Sequence, residues 1–394
     1  MQEKIFNEIY FDNAATTKVH KEVADLAYNI MTKDYGNPSS KHRKGFEAEE
    51  IVKKANVQIA DILKCNENEI VWTSGGTESD NYALIGAAFS YQRRGKHIIS
   101  SNIEHPAIYK TLEYLSKFGF EITYLKVDKD GKVNPQDLKN NIRKDTILIS
   151  IMHINNEIGS INDIENLAKI SKNENPQVIF HTDAIQSFGK FKIYPKLMNI
   201  DMVSVSGHKI HSPKGIGFLY INKNINLLPI INGGGQQKNR RSGTHNTVGI
   251  ACLAEASKMA YTNFDEKMNK IIIIKNLFLD GLNNLNEEIG GIKINSKKDF
   301  YSAPQILSVT INGIKAEVIL HALEEKNIFV SSGSACSSNH PDLSGTLKAI
   351  GLSNEEIDST IRFSFSIYNE IEEVEYTLKE LKQIIINLRK YTKK

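Results

Sequence analysis

The chain has 394 residues, with 49 Lys plus Arg against 46 Asp plus Glu and a net charge of +3. A length of this order holds two domains, or one large domain with a smaller lobe. An apolar fraction of 40% and a charged fraction of 24% exclude global disorder, and the near-balance of charge argues against nucleic-acid binding as the main activity.

From about residue 69 to 221, short β-branched runs alternate with helical patterns. The predicted strands are Glu69–Thr73, His97–Ser101, Glu121–Val127, Thr146–Met152, Gln177–Thr182, Met202–Val205 and Gly217–Ile221. Several are apolar almost throughout, as in strands buried on both faces of a parallel sheet. Helical stretches at Thr77–Tyr91, His105–Phe118 and Asp163–Lys172 separate them, which argues for an α/β fold with crossover helices. Asn246 to about Leu285 reads as one long helix, followed by strands at Gln305–Ile311, Ile328–Ser331 and Ile361–Ser366. The final stretch, Glu370–Lys390, repeats apolar residues every three or four positions and predicts an amphipathic helix. A domain boundary is expected near residue 265. The N-terminus carries no apolar stretch of the signal-peptide kind, and no run of about 18 apolar residues suggests a membrane span. The cytoplasm is the expected compartment.

Five segments could carry chemistry. Thr73-Ser74-Gly75-Gly76-Thr77 lies between a strand and a helix. Glycines followed by a hydroxyl residue at a helix N-terminus make an anion site, though a plain turn with a cap has the same composition. His181-Thr182-Asp183 ends a strand, where ligands of open α/β sheets bind. Asp183 could offer a carboxylate to the ring nitrogen of a pyridoxal cofactor and Gln186 could reach its phenolic oxygen; a helix N-cap is the simpler reading of Asp183. Ser206-Gly207-His208-Lys209 follows another strand. Its lysine could form a Schiff base with such a cofactor, while a lone lysine is more often an exposed one.

The three cysteines, Cys65, Cys252 and Cys336, are widely spaced and form no CxxC pair, so neither a zinc site nor a disulfide framework is indicated. Cys336 sits in Ser331-Ser332-Gly333-Ser334-Ala335-Cys336, which reads as an exposed loop with a nucleophilic thiol; Cys65 and Cys252 read as packing residues. Arg362, inside a short strand, could clamp a carboxylate or lie in solvent at a sheet edge. Two further features are weaker. His208 and His211 make only half a metal site, and Gly233-Gly234-Gly235 lacks the strand–helix context of a dinucleotide fingerprint.

Together these segments resemble the cysteine desulfurases of the class V aminotransferase superfamily, the NifS/IscS-like enzymes. The resemblance runs from Tyr10-Phe11-Asp12-Asn13-Ala14-Ala15-Thr16-Thr17 to Thr360-Ile361-Arg362-Phe363-Ser364. It implies the fold type I pyridoxal-phosphate architecture: a mainly parallel sheet with helices on both faces plus a smaller α+β C-terminal domain. The implied division is an N-terminal segment 1–15 packing with the small domain, a large cofactor-binding domain 16–264 and a small domain 265–394. Lys209 is implied as the Schiff-base lysine, Asp183 as the pyridinium partner, Gln186 as the phenolic-oxygen contact and His105 as the residue stacked on the ring. Gly76, Thr77, Ser206 and His208 match phosphate-binding positions. Thr244 matches a phosphate contact supplied by the other subunit, which implies a homodimer. Asn156 and Arg362 match positions that hold cofactor and substrate carboxylate.

The implied reaction takes sulfur from L-cysteine, giving L-alanine and a Cys336 persulfide, with Lys209 and His105 as proton carriers. The Cys336 loop resembles the longer form found in one of the two groups of the family. Its persulfide would pass to a sulfur acceptor, either an iron–sulfur scaffold or a tRNA-thiolation enzyme. A selenocysteine lyase, another class V aminotransferase and a non-catalytic scaffold are the alternative readings. Two departures from the family stand out. Gln237 and Asn239 occupy positions that are often Glu and Gly, and Asn is the residue type that best tolerates a left-handed backbone there. The chain also ends at Lys394, without the longer tail through which some members dock a scaffold.

Overall fold

The computed structural model describes residues 6–298, 302–332 and 343–392. In chain order, the first half runs β1 (Ile9–Tyr10), α1 (Lys21–Thr32), α2 (Arg43–Leu63), β2 (Ile70–Thr73), α3 (Gly76–Tyr91), β3 (His97–Ser101), α4 (Pro106–Ser116), β4 (Glu121–Leu125), α5 (Pro135–Asn141), β5 (Thr146–Ser150), α6 (Ile164–Glu174), β6 (Ile179–Asp183), β7 (Met202–Ser206) and β8 (Gly217–Ile221). The second half runs α7 (Thr247–Tyr261), α8 (Phe264–Ile289), β9 (Ile292–Ile294), β10 (Ile306–Ile311), α9 (Ala316–Glu324), β11 (Ile328–Phe329), β12 (Ser331–Ser332), α10 (Gly345–Ala349), α11 (Asn354–Asp358), β13 (Thr360–Ser364) and α12 (Ile371–Thr392).

Seven strands form one sheet in the order β2-β8-β7-β6-β5-β3-β4. β8 is antiparallel to both β2 and β7, and the other pairings are parallel. Period-2 alternation explains the two covered faces. Ile99, Ile149, Phe180, Val203 and Phe218 point to one side, where Val23, Val52, Ile59 and Leu253 of α1, α2 and α7 cover them. Ile98, Leu148, Ile179, Met202 and Leu219 point to the other, under Ala83, Leu84, Ala87 and Leu112 of α3 and α4. Phe180 is fully buried, so truncation to Ala would cost about 3–5 kcal/mol.

A second, four-stranded antiparallel sheet has the order β12-β13-β10-β9. Its core joins Phe278, Leu282, Phe363, Ile361 and Leu381 to Ile9 and Phe11 from the start of the chain. β1 pairs in parallel with β11, so the N-terminal segment is fastened to C-terminal elements.

Several expectations need correction. The long helix expected over Asn246–Leu285 is two helices, broken at Thr262–Asn263, where Asn263 takes φ of 51°. The single strand expected over Ile328–Ser331 is two short ones, because β11 pairs with β1 while β12 crosses to β13. Helices α1 and α2 fall in a stretch left unassigned from sequence, although the buried Ala48, Val52, Ala55, Ile59 and Leu63 of α2 recur at helical spacing.

Candidate active site

The expected site residues gather where strands of the large sheet end. Asp183 closes β6, Ser206 closes β7 and leads into a short turn carrying His208 and Lys209, and Gly75-Gly76-Thr77 joins β2 to α3. His105 caps α4, which follows β3, and Asn156 follows β5. The carboxyl edge of a largely parallel sheet is where such folds bind ligands.

Lys209 reaches back to the start of the chain. Its Nζ donates to the carbonyls of Ala14 at 2.6 Å and Ala15 at 2.7 Å. Gln186 Nε2 donates to the same Ala14 carbonyl at 3.0 Å. The segment is locked further along, where Thr17 Oγ1 donates to the His208 carbonyl and accepts from the His211 N–H. The Asn13–Thr17 stretch therefore seats the lysine, a role that its sequence alone does not disclose. The half-buried Lys190 donates to the Lys209 carbonyl at 2.9 Å, and desolvation together with the Lys209 charge lowers it to about 7.

The ammonium of Lys209 acts on several neighbours. It opposes the rise that burial imposes on Asp183. His105 is pushed down to about 4 by burial and by that charge. The His105 Nδ1 accepts the Ala107 N–H at 3.1 Å, so the neutral ring keeps its proton on Nε2. His208 is likewise lowered to about 4, first by burial and then by lysine charges; its Nδ1 lies 3.2 Å from Thr16 Oγ1. Asp183 Oδ1 accepts the Ile185 N–H at 2.8 Å. A turn follows Asp183 rather than a helix, so the helix-cap reading fails.

The Gly75–Gly76 corner brings main chain close to its surroundings. Gly75 has φ of 152°, a conformation open essentially to glycine alone. A Cβ on Gly76 would stand 2.2 Å from Ile185 Cδ1, with Ser206 Cβ at 3.5 Å. No side chain caps the first turn of α3, which leaves N–H donors and the helix dipole for an anion. An open groove of about 670 Å³ passes Thr77, Asn81, His105 and Lys110.

Residues 237–239 form a run of left-handed backbone: Gln237 at 48°, Lys238 at 59° and Asn239 at 63°. The Asn239 conformation matches the sequence expectation, and the other two extend it. Gln237 fastens this run to β2, accepting the Trp72 N–H at 2.7 Å and donating to the Trp72 carbonyl at 2.9 Å. A carboxylate could not make the second bond. Arg241 pairs with Glu78 at 2.8 Å, and Thr244 is exposed beyond it.

On the small sheet, Arg362 is buried in β13 rather than solvated at an edge. Its Nη2 donates to Asp12 Oδ1 at 2.9 Å and its Nη1 to the Asn156 carbonyl at 2.8 Å. Its Nε is buried with no hydrogen-bond partner among the described residues. Ser331 stands opposite Arg362 and Ser332 opposite Ile361 in register, so the described chain stops at Ser332, one position along the sheet from Arg362. Cys336 itself lies outside the described residues. Cys252 is buried and Cys65 half-buried; burial pushes their thiols up to about 11 and about 12, in keeping with packing roles.

Sequence reasoning missed Asp12, Lys190, Asp80 and Glu104. Asp12 was visible in the Tyr10–Thr17 segment, but its partner lies 350 residues away. Asp80 lies inside the predicted helix Thr77–Tyr91, and Glu104 immediately precedes His105.

The sequence profile of the aminotransferase class-V family matches residues 9–377. The cysteine desulfurase IscS of Dictyoglomus turgidum (strain DSM 6724 / Z-1310) is 40% identical over 382 residues, covering 97% of this chain and 95% of that protein. The cysteine desulfurase IscS of Methanosarcina thermophila is 42% identical over 381 residues, covering 97% and 93%. Among solved structures, a NifS-like protein matches with a TM-score of 0.90 at 35% identity, over 96% of this chain and all of that one. SspA in complex with cysteine matches with a TM-score of 0.80 at 34% identity, over 92% of this chain and all of that one. With the fold, the lysine at the strand end and a profile match across nearly its whole length in agreement, the chain belongs to the aminotransferase class-V family.

Proposed function

We propose that this chain is a pyridoxal-phosphate-dependent cysteine desulfurase, which releases alanine from L-cysteine and collects the sulfur on Cys336. The observation that carries the reading is the seating of Lys209 at the carboxyl end of β7, its Nζ held by Ala14 and Ala15 and its charge felt by Asp183 and His105.

The residues fit the cofactor. A Cβ at Gly76 would have to displace the end of the Ile185 side chain, and the uncapped start of α3 suits one phosphate, with Thr77, Ser206 and His208 around it. Asp183 offers a buried carboxylate to the ring nitrogen, and Gln186 an amide to the phenolic oxygen. His105 offers a neutral ring face. When bound, pyridoxal phosphate supplies an electron sink for the bond broken at the substrate Cα.

The chain's own groups then divide the work. With the cofactor bound, Lys209 would be the amine that takes a proton from the substrate Cα. Arg362, with a buried Nε still to be paired, receives the substrate carboxylate alongside Asn156. Asp12 holds the guanidinium in place meanwhile. The thiolate of Cys336 attacks the substrate sulfur, an S–S bond forming as the substrate Cβ–S bond breaks; the electron pair stays with the carbon fragment, which takes up protons to leave as alanine. Cys336 is four residues beyond Ser332, a reach of at most roughly 14 Å from a strand position whose partner, Ile361, adjoins Arg362.

The finer parts of the reading are a homodimer completed by Thr244 from the partner, a cytoplasmic setting, and transfer of sulfur to an iron–sulfur scaffold or a tRNA-thiolation enzyme. No helix among the described residues is long and apolar enough to cross a membrane. A large domain of residues 16–264 and a small one of 265–394 joined by segment 1–15 is supported by the separate cores. The test is borohydride reduction of the cofactor-loaded protein followed by peptide mapping. Label on the Lys209 peptide is expected, and label on another lysine, or none, contradicts the reading.

A further inference from the structure

The α3-facing side of the large sheet changes character along its length. Its apolar row, Ile98, Leu148, Ile179 and Met202, gives way two residues later to Ser100, Ser150, His181 and Ser204, all fully buried. Ser100 Oγ donates to the Ser150 carbonyl at 2.8 Å. The ring of His181 bridges Ser150 Oγ and Ser204 Oγ, each at 2.9 Å. Two residues past His181, on the same face, stands Asp183.

Asp80, on the second turn of α3, descends onto this polar row. It is fully buried, and neither of its carboxyl oxygens completes a hydrogen bond. His181 Nε2 lies 3.8 Å from Oδ1, and the Ser204 hydroxyl also faces it. The charged groups around it are both acidic, Asp183 and Glu104. Glu104 accepts from Ser101 Oγ at 2.5 Å and from the Met152 N–H at 2.9 Å, while its other oxygen is buried without a partner. A full negative charge on Asp80 would have no cation in contact and two carboxyls for company, an arrangement that burial penalises heavily. Burial and Asp183 both drive the Asp80 carboxyl well above the usual carboxylate range.

We propose that Asp80 is a positioning residue for the cofactor site, acting as a neutral acid that donates through Ser204 to His181 and leaves the negative charge of this row on Asp183. In the proposed proton order the Asp80 O–H turns onto Ser204 Oγ, closing a bond that the Ser204 hydroxyl faces but the present geometry leaves open; Ser204 donates to His181 Nε2, and His181 Nδ1–H donates to Ser150 Oγ. If Asp80 were a carboxylate the chain would run the other way, with the imidazole proton on Nε2. The inference rests on the pyridoxal-phosphate reading for its effect on the cofactor, but the protonation of Asp80 does not depend on it.

Two measurements on the full-length chain test the proposal. Infrared difference spectra between the wild type and Asp80→Asn, recorded with and without added pyridoxal phosphate, are expected to show a carboxylic-acid carbonyl band that the variant lacks. Carboxylate bands alone would overturn the proposal. Spectrophotometric pH titration of the bound cofactor is the second. Asp80→Asn, which keeps a donor but cannot ionise, is expected to titrate with the wild type, and Asp80→Ala to shift by up to about one pH unit, the scale of one net hydrogen bond. A shift in Asp80→Asn equal to that of Asp80→Ala, or no shift in either, overturns the positioning role. If Asp80→Ala does not fold, the infrared band and the Asp80→Asn titration decide. If the chain binds no pyridoxal phosphate, the functional reading fails while the infrared band still decides the state of Asp80.

Discussion

The two sheets face the same site but hold their polar groups in opposite ways. Beneath the carboxyl edge of the large sheet, Asp80, Glu104 and His181 are sealed in with few compensating charges, and burial drives each toward its neutral form. On the small sheet, Arg362 and Asp12 form an ion pair across 2.9 Å, and the guanidinium opposes the rise that burial imposes on Asp12. The first arrangement suits a ligand whose protonation must be tuned, the second a ligand whose charge must be grasped. Lys209 lies between them, opposing the burial-driven rise of Asp183 on one side and of Asp12 on the other.

The comparison breaks most visibly at Lys209 and Arg362. Lys209→Ala is expected to lower alanine formation by roughly 10²–10⁴-fold or more, the range for loss of a positioned proton carrier, with the unfolding midpoint in urea little changed. Arg362→Ala is expected to raise the KM for cysteine and also to destabilise, because it strands Asp12. The loss should sit at the lower end of about 3–5 kcal/mol, since Asp12 keeps some contact with solvent, and urea unfolding measures it. Equal stability of the variant would mean that the Asp12 pair is ornamental.

Acid sharpens the contrast. The histidines His105, His153 and His208 are lowered to about 4, and His181 and His211 to about 3, in each case first by burial. The unfolded chain therefore takes up more protons than the folded one between about pH 6.5 and 3, and stability falls as pH drops through that window. The raised carboxyls Asp12, Asp80, Glu104, Glu157 and Asp183 pull in the other direction. The net expectation is a falling thermal midpoint from pH 6.5 to 4, and a rising one would show that the carboxyls dominate.

The smallest effect is expected at Glu104, raised to about 8 chiefly by burial. The folded state holds a proton there that the unfolded state has released above about pH 4.5, so this residue subtracts stability as pH climbs from 4.5 to 8. Glu104→Gln, which preserves an acceptor for Ser101 and Met152, should leave stability at pH 5 nearly unchanged and flatten its decline toward pH 8. Thermal melts of both proteins across that range provide the check.

The parts of this site written in local sequence were readable. Asp183, Lys209 and the Gly75–Gly76 corner each follow an apolar run with strand character, and strand ends are where such sheets bind. The parts made by distant contact were not. The carbonyls that hold Lys209 come from Ala14 and Ala15, 195 and 194 residues away, and a carbonyl has no side-chain signature. The reversed direction of β8 left no mark in its residues either, because a buried strand reads the same both ways. The break between α7 and α8 was hidden by apolar periodicity that continues on both sides, although Asn263 is a residue type suited to the left-handed conformation it adopts. Helix α2 is legible in the helical spacing of Ala48, Val52, Ala55, Ile59 and Leu63.

The central claim is that Lys209 and Cys336 serve one reaction, and a single-turnover assay tests it most directly. Protein loaded with pyridoxal phosphate is mixed with one equivalent of L-cysteine, and alanine is counted while mass spectrometry weighs the Cys336 peptide. The expected result is alanine matched one for one by a peptide heavier by one sulfur, with both signals absent in Lys209→Ala. Alanine formed at the full rate by Cys336→Ser, or cysteine consumed without alanine, would contradict the account.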